Sequence, residues 1–412
     1  MFREGFTLFC IIFLTTSCNK DRPTVSEDPS TTNNSNTITC NNGFAGVFPC
    51  NDYDLLFEMS LDTFGATAAN DSWGWTDTAT GKEYAIIATN TNTAFVDISD
   101  EDTPVYLGNL PTATIQSPWR DVKVYNNHAF IVADNTVGED SHGMQVFDLA
   151  RLRNVANPPE VFSADARLEE VGRAHNIVIN ENSGYAYAVG GNSNRSHKGG
   201  PVFINIQNPK SPVIEGEFRE GDYSHDAQVV IYSGPDNDYT GREILIGGNE
   251  NEVVIADVTD KANPVKISTI AYSNVGYAHQ GWFTEDMRYF ILGDETDEQR
   301  FGNNTRLIVF DFNDLDNPQH HFDYLSNNTA IDHNGYVKGD TYYQASYRAG
   351  LRVLDISNIE NKSFTEVGFF DTFPNDDATA FDGAWNVYPF FESGKIVISD
   401  INRGLIVVRK SE

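Results

Sequence analysis

A chain of 412 residues with 59 Asp and Glu against 28 Lys and Arg carries a net charge of -31. A surface that acidic repels nucleic acid and anionic lipid headgroups and concentrates cations, so nucleic-acid binding is excluded. Length alone would allow two or three domains, but a repeat of about 50 residues makes the main body one large domain.

Residues 1–18 have the order of a processed export signal: Arg3, an apolar run from Phe6 to Leu14, then small residues leading to Cys18. The run is too short to span a bilayer as a helix. Thr15-Thr16-Ser17-Cys18 resembles a bacterial lipobox, in which the cysteine is lipidated and becomes the mature N-terminus, although Leu14 stands one place earlier than usual. An ordinary secretory signal cleaved nearby is the alternative. Asn19-Lys20-Asp21 is similar to the surface-export signals of some Gram-negative lipoproteins, which would place the protein at the outer membrane or cell surface.

Residues 19–39 are expected to be a flexible tether, because from residue 22 on they are rich in Ser, Thr, Asn, Asp and Pro with almost nothing apolar to bury. Of the four cysteines, Cys10 leaves with the signal and Cys18 takes the lipid. Cys40 and Cys50 remain as a pair in an oxidising compartment and are expected to form a disulfide at the start of a folded domain spanning 40–412.

Within that domain one short segment recurs in register. Arg173-Ala174-His175-Asn176, Tyr223-Ser224-His225-Asp226, Tyr277-Ala278-His279-Gln280 and Ile331-Asp332-His333-Asn334 are near copies. Weaker copies around Trp73, Arg120 and Trp385 bring the series to seven units, and a polar or acidic residue, such as Asp121 or Asn386, follows six of the seven positions. Each unit also contains an apolar run closed by an acidic residue, as in Ala94-Phe95-Val96-Asp97 and Ile308-Val309-Phe310-Asp311, with Asn205 replacing the aspartate once. This is a short buried strand, and its Asp is read as a turn cap rather than a ligand. Two further strands per unit give four, and seven such units describe an all-β, seven-bladed β-propeller. The last unit stops one strand short at Leu405–Val408, while Asp54–Leu61 precedes the first unit as one strand too many. The N-terminal strand is therefore expected to close the last blade and remove the exposed edges.

Inner strands line a propeller's channel, so His175, His225, His279 and His333 should form part of a ring at one mouth. Second-strand ends should border it with Glu250, Asp294 and Glu295 among others, and Arg120, Asp121, Asp226, Trp73 and Trp385 are the remaining candidates for an outer shell or a ligand surface. Neutral imidazoles backed by carboxylates suit a divalent transition metal. Acid-base work by His225 with Asp226 or His279 with Asp294 is a second reading, and inter-blade hydrogen bonding by the histidines a third. Gly293–Glu298 could ligate calcium but lacks the spacing of an EF-hand loop and is read as a solvated acidic loop, and His128, His142, His197, His320 and His321 are read as surface or loop residues. There is no phosphate-binding glycine loop, nucleophile elbow, zinc-protease helix or catalytic cysteine candidate.

Cys40–Cys50, Tyr53–Leu56, Ala94–Ser99, His142-Gly143-Met144-Gln145-Val146-Phe147-Asp148, Ala174–Ile177, His279–Trp282 and Gly350–Asp355 resemble the choice-of-anchor B family of LVIVD-repeat propellers across residues 40–412. The resemblance implies an exported protein held to the cell envelope, with the lipobox-like N-terminus as anchor, and brings no established activity. The functional expectation is an envelope-anchored binding or scaffold module for protein or glycan. The alternative is a metal-dependent hydrolase, lyase or oxidoreductase built on the four histidines.

Overall fold

The middle strand of each unit is apolar on both faces, and its packing shows why. In Lys82–Thr89, Tyr84, Ile86 and Ala88 pack with Ile131 and Phe147 of the next unit, while Ala85 and Ile87 pack with Val397 and Val407 of the previous one. Successive side chains of a strand point to opposite faces, so a strand between two sheets reads as continuous apolar sequence. Phe95 stacks on Phe147 across one such interface with centroids 4.6 Å apart. Each fully buried aromatic of this kind contributes roughly 1.5–3 kcal/mol.

The structure, a computed structural model, describes residues 36–134 and 142–412. The expected export signal, Cys18 and most of the expected tether lie outside the described residues. Seven antiparallel sheets follow one another along the chain as blades 1 to 7. Their inner strands are Ala69–Asp77, Trp119–Tyr125, Asn176–Asn180, Asp226–Ile231, Ala278–Phe283, Gly335–Lys338 and Ala384–Tyr388. Each packs against the inner strands of both neighbours, and blade 7 returns to blade 1, giving a seven-bladed β-propeller. Among the described residues no helix is long and apolar enough to cross a membrane.

Closure follows the expectation. Tyr53–Met59 pairs antiparallel with Gly404–Lys410 and becomes the fourth strand of blade 7. Cys40 and Cys50 are bonded, with Cα atoms 6.0 Å apart. The disulfide does more than precede the closing strand, because it staples a hairpin, Phe44–Ala45 with Phe48–Asn51, whose second strand pairs with Phe369 and Phe370 of blade 6. Blade 1 gains a parallel edge strand, Glu160–Val161, against Val105–Pro111. Gly108 permits it: its φ is +141°, and a Cβ there would sit 2.0 Å from the Glu160 carbonyl oxygen.

The acidic residue closing each third strand is a turn cap, as expected. Asp97, Asp148, Asn205, Asp257, Asp311 and Asp355 each accept, through the side chain, the backbone N–H two residues on. Such an Asx turn redirects the chain towards the outer strand.

Candidate functional site

The polar residues beside the ring positions join the blades. Asp121 Oδ2 accepts the Ile177 N–H at 2.7 Å, and Gln280 Oε1 accepts the Gly335 N–H at 2.9 Å. Asn176 Nδ2 donates to the His225 carbonyl at 3.1 Å, and Asn386 Nδ2 donates to the Ser72 carbonyl at 2.6 Å. Asp71 and Gln228 do the same for the backbone N–H groups of Val122 and Phe283. The inter-blade role considered for the histidines is shared: their polar neighbours carry struts, and His175, His225 and His333 also bond across blades, to Asp134, the Tyr277 hydroxyl and the Trp385 carbonyl. Asp226 and Asn334 are exceptions: the Asp226 carboxylate accepts from Ala227 N–H next door and lines the channel, and the Asn334 Oδ1 has no hydrogen-bond partner.

With the strands tied this way, the histidines stack along one mouth. Ring centroids are 4.3 Å apart for His175 and His225, 4.5 Å for His225 and His279, and 4.5 Å for His279 and His333. His225, His279 and His333 are buried, and burial pushes their imidazoles far towards the neutral form, His333 down to about 3. His333 Nδ1–H donates to the Trp385 carbonyl at 2.5 Å, which leaves the Nε2 lone pair facing Glu295 Oε1 at 3.6 Å. His279 Nε2 lies 3.7 Å from Glu295 Oε2, and its Nδ1 has no hydrogen-bond partner. His225 Nδ1 is 3.0 Å from the Tyr277 hydroxyl, and its Nε2 is also unpartnered. If His225 Nδ1–H donates to that oxygen, the Tyr277 hydroxyl is free to donate to Glu250 and Nε2 keeps its lone pair for a ligand.

Glu295 completes the group. Its carboxylate receives the Tyr347 hydroxyl at 2.9 Å, and burial pushes its pKa up to about 7. One donor atom each from His225, His279 and Glu295 lies within 4.8 Å of the others. Two imidazoles and a carboxylate, with a third imidazole beside the carboxylate, are a donor set for a divalent transition ion, provided the side chains close by about 1 Å around it. His175 sits at the end of the stack and pairs with Asp134 at 3.3 Å, outside this group.

The other expected site residues are dispersed. Arg120 is buried between blades 1 and 2, donating to Thr112 and Thr93 with His142 Nε2 3.3 Å away. Asp294 accepts from Gly276 N–H, Tyr277 N–H and the Tyr272 hydroxyl, which fixes the approach to blade 5 rather than facing the histidines. Trp385 packs on His333 with centroids 4.7 Å apart. Trp73 is displaced from the ring: blade 1 pairs Ala69 with Thr89 and Ser72 with Ile87, as blade 5 pairs Ala278 with Asp294 and Gly281 with Leu292. A shared irregularity in both strands therefore sets Asn70 level with His279 and Trp73 level with Trp282. His142 and His197, expected at the surface, are buried, and His142 is held neutral with a pKa of about 3 by burial and by Arg120.

Trp73 and Trp282 belong to a second feature. A cavity of about 390 Å³ is lined by both, by Tyr336, Tyr388 and Phe390, and by Lys123, Asp226 and Gln280. Asp226 and Gln280 directly follow His225 and His279 in sequence, so this aromatic cup ends one residue beyond the histidine layer. Lys123 lies 4.7 Å over Trp73 and bridges Asp71 and Asp121. Burial, with Asp121 nearby, pushes the Asp226 carboxyl up to about 7.

No protein-family model and no curated protein matches the chain. Solved structures with the same fold include Kuenenia stuttgartiensis hydrazine synthase, at 13% identity and a TM-score of 0.55 over 84% of this chain and 96% of that one. A functionally unknown protein from Desulfotomaculum acetoxidans matches at 12% identity and a TM-score of 0.52, over 76% of this chain and 87% of that one. A protein from Lactobacillus plantarum matches at 14% identity and a TM-score of 0.50, over 80% and 87%. At these identities the likeness is one of fold alone.

Proposed function

We propose that this chain is an exported propeller of the choice-of-anchor B type, lipid-anchored through Cys18 at the outer membrane or cell surface, that binds its ligand at the channel. A divalent transition metal held by His225, His279 and Glu295, with His333 alongside, is the binding element. The observations that carry this reading are that one nitrogen of each of His225 and His279 lies within 4.8 Å of the other and of a Glu295 oxygen, and that each of the two buried rings has a nitrogen without a hydrogen-bond partner. A buried polar atom without a partner costs free energy that a bound cation would recover. Inter-blade struts account for Asp121, Asn176, Gln280 and Asn386, but no such strut uses these imidazole nitrogens. The flat faces of a propeller offer loop surfaces for protein or glycan, and the aromatic cup offers stacking surface for a sugar ring or another small molecule.

Catalysis by the same group is the second reading, favoured by one observation. Glu295, with a pKa of about 7 and beside neutral imidazoles, is poised to exchange a proton near neutral pH. Elemental analysis of the full chain, purified without a histidine tag after growth with zinc, copper and iron, tests the metal. About one ion per chain, lost in a His225→Ala, His279→Ala variant that still folds, supports the reading; no ion in either protein removes it. Globomycin-sensitive processing and palmitate labelling dependent on Cys18 test the anchor.

A further inference from the structure

A second group of donors lies behind the histidine mouth, between blades 5 and 6. Asp297 and Glu298 open the short helix Asp297–Phe301 that follows the second strand of blade 5, and Asp332 precedes His333 at the entry to blade 6. One oxygen from each of the three carboxylates lies within 4.8 Å of the others. Their exposures are 0%, 2% and 0%, so the run Gly293–Glu298 is no solvated loop here.

Partners are missing in a specific way. Asp297 Oδ2 accepts from Arg306 Nε at 2.5 Å. Asp297 Oδ1 and both Asp332 Oδ atoms receive no hydrogen bond from outside the group, the Glu298 carboxylate has only the backbone N–H groups of Glu298 and Asp332 beside it, and the Glu298 and Asp332 carboxyls face each other. Neighbouring Asp294 is equally buried, yet its two oxygens take donors from Gly276, Tyr277 and Tyr272 at 2.8, 2.5 and 2.9 Å. The fold thus supplies three donors to one buried carboxylate at this place and withholds them from Asp332. Arg306 cannot neutralise the group alone, since it is shared among Asp294, Asp297 and Asp323. Gly293 leaves the room the Asp332 carboxylate occupies, because a Cβ there would meet Asp332 Oδ2 at 2.1 Å.

We propose that Asp297, Glu298 and Asp332 form a buried calcium site that fastens blade 5 to blade 6. Every open donor is a carboxylate oxygen, which suits a hard cation and disfavours the nitrogen- and sulfur-seeking ions suited to the histidines. Calcium accepts six to eight oxygens and tolerates bidentate carboxylates, and Glu298 and Asp332 each offer both oxygens. The site is separate from the histidine group but mechanically joined to it, since Asp332 adjoins His333 and Asp297 stands two residues after Glu295. Calcium would hold both of those side chains in place.

The test uses the full chain stripped with a chelator. Terbium should give luminescence sensitised by the nearby tyrosines, displaced by calcium and not by magnesium. Calcium at about a hundredfold over its Kd should raise the melting temperature by about 4 °C. A Glu298→Gln, Asp332→Asn variant should lose both responses, while a His225→Ala, His279→Ala variant should keep them. If the double carboxamide does not fold, Asp332→Asn alone should weaken terbium binding at least tenfold. Stripped protein that shows neither terbium emission nor a calcium shift would overturn the proposal and leave the facing carboxyls sharing protons. Responses that persist in the carboxamide variant would overturn it too, by assigning them to acidic groups nearer the surface such as Asp236, Asp314 and Asp316.

Discussion

His225 and His279, on adjacent blades, stack with ring centroids 4.5 Å apart, and Nε2 of the first and Nδ1 of the second have no hydrogen-bond partner. Burial, and after it the neighbouring histidine rings, push both imidazoles towards the neutral form. Two neutral imidazoles side by side present lone pairs without needing to lose protons. The protonation state that controls metal uptake is therefore that of Glu295.

Zinc affinity of the metal-free protein should depend on pH through that one group. The Glu295 carboxyl, raised to about 7, must lose its proton to bind. Affinity should be level above pH 8 and fall about tenfold per pH unit below 7. Chelator-competition titrations check this, and Glu295→Gln should weaken binding and remove the slope.

Asp226 should make the protein less stable as pH rises. Its folded pKa of about 7 lies above the ordinary value of 3.8, so the folded state holds a proton that the unfolded state has released. Stability is lost between pH 4 and 7 and is level beyond. Asp226→Asn should match the parent near pH 4 and exceed it at pH 8 by up to about 4 kcal/mol, measured by urea unfolding.

Asn386 joins the last blade to the first. It donates to the Ser72 carbonyl and accepts the Tyr336 hydroxyl at 2.9 Å, all three residues being buried. Asn386→Ala should cost about 2–3 kcal/mol, because the partners stay buried and unpaired. Urea midpoints check it, with metal content unchanged.

The Cys40–Cys50 bond closes a short loop and anchors the hairpin on blade 6. Replacing both cysteines with serine should cost roughly 2–3 kcal/mol. Amide exchange should quicken first at Phe48–Asn51 and Phe369–Phe370, before the inner strands respond.

Sequence made the blades and their closure legible because both rest on local signals: apolar strands, Asx turns at residues such as Asp97 and Asp257, and a strand surplus at one end matching a deficit at the other. The hairpin on blade 6 was hidden because Cys50 and Phe370 are partners only in space. The level of Trp73 was hidden by the irregularity between Ala69 and Ser72, which slides the residues behind it along the channel. Among the carboxylates, Asp294 and Glu295 stood together in sequence, and the turn at Gly276 decided between them by engaging Asp294 and leaving Glu295 to the histidines. Nothing local distinguished buried Glu298 from an acidic loop residue, because Asp332 reaches it from the next blade.

The central claim is that the stacked histidines and Glu295 hold a transition metal, and X-ray absorption at the edge of the bound ion tests it most directly. The account predicts a spectrum with outer-shell scattering from two or three imidazoles and at least one oxygen ligand, lost when His225 and His279 are replaced. A bound ion surrounded by oxygen alone, unchanged by those replacements, would contradict it.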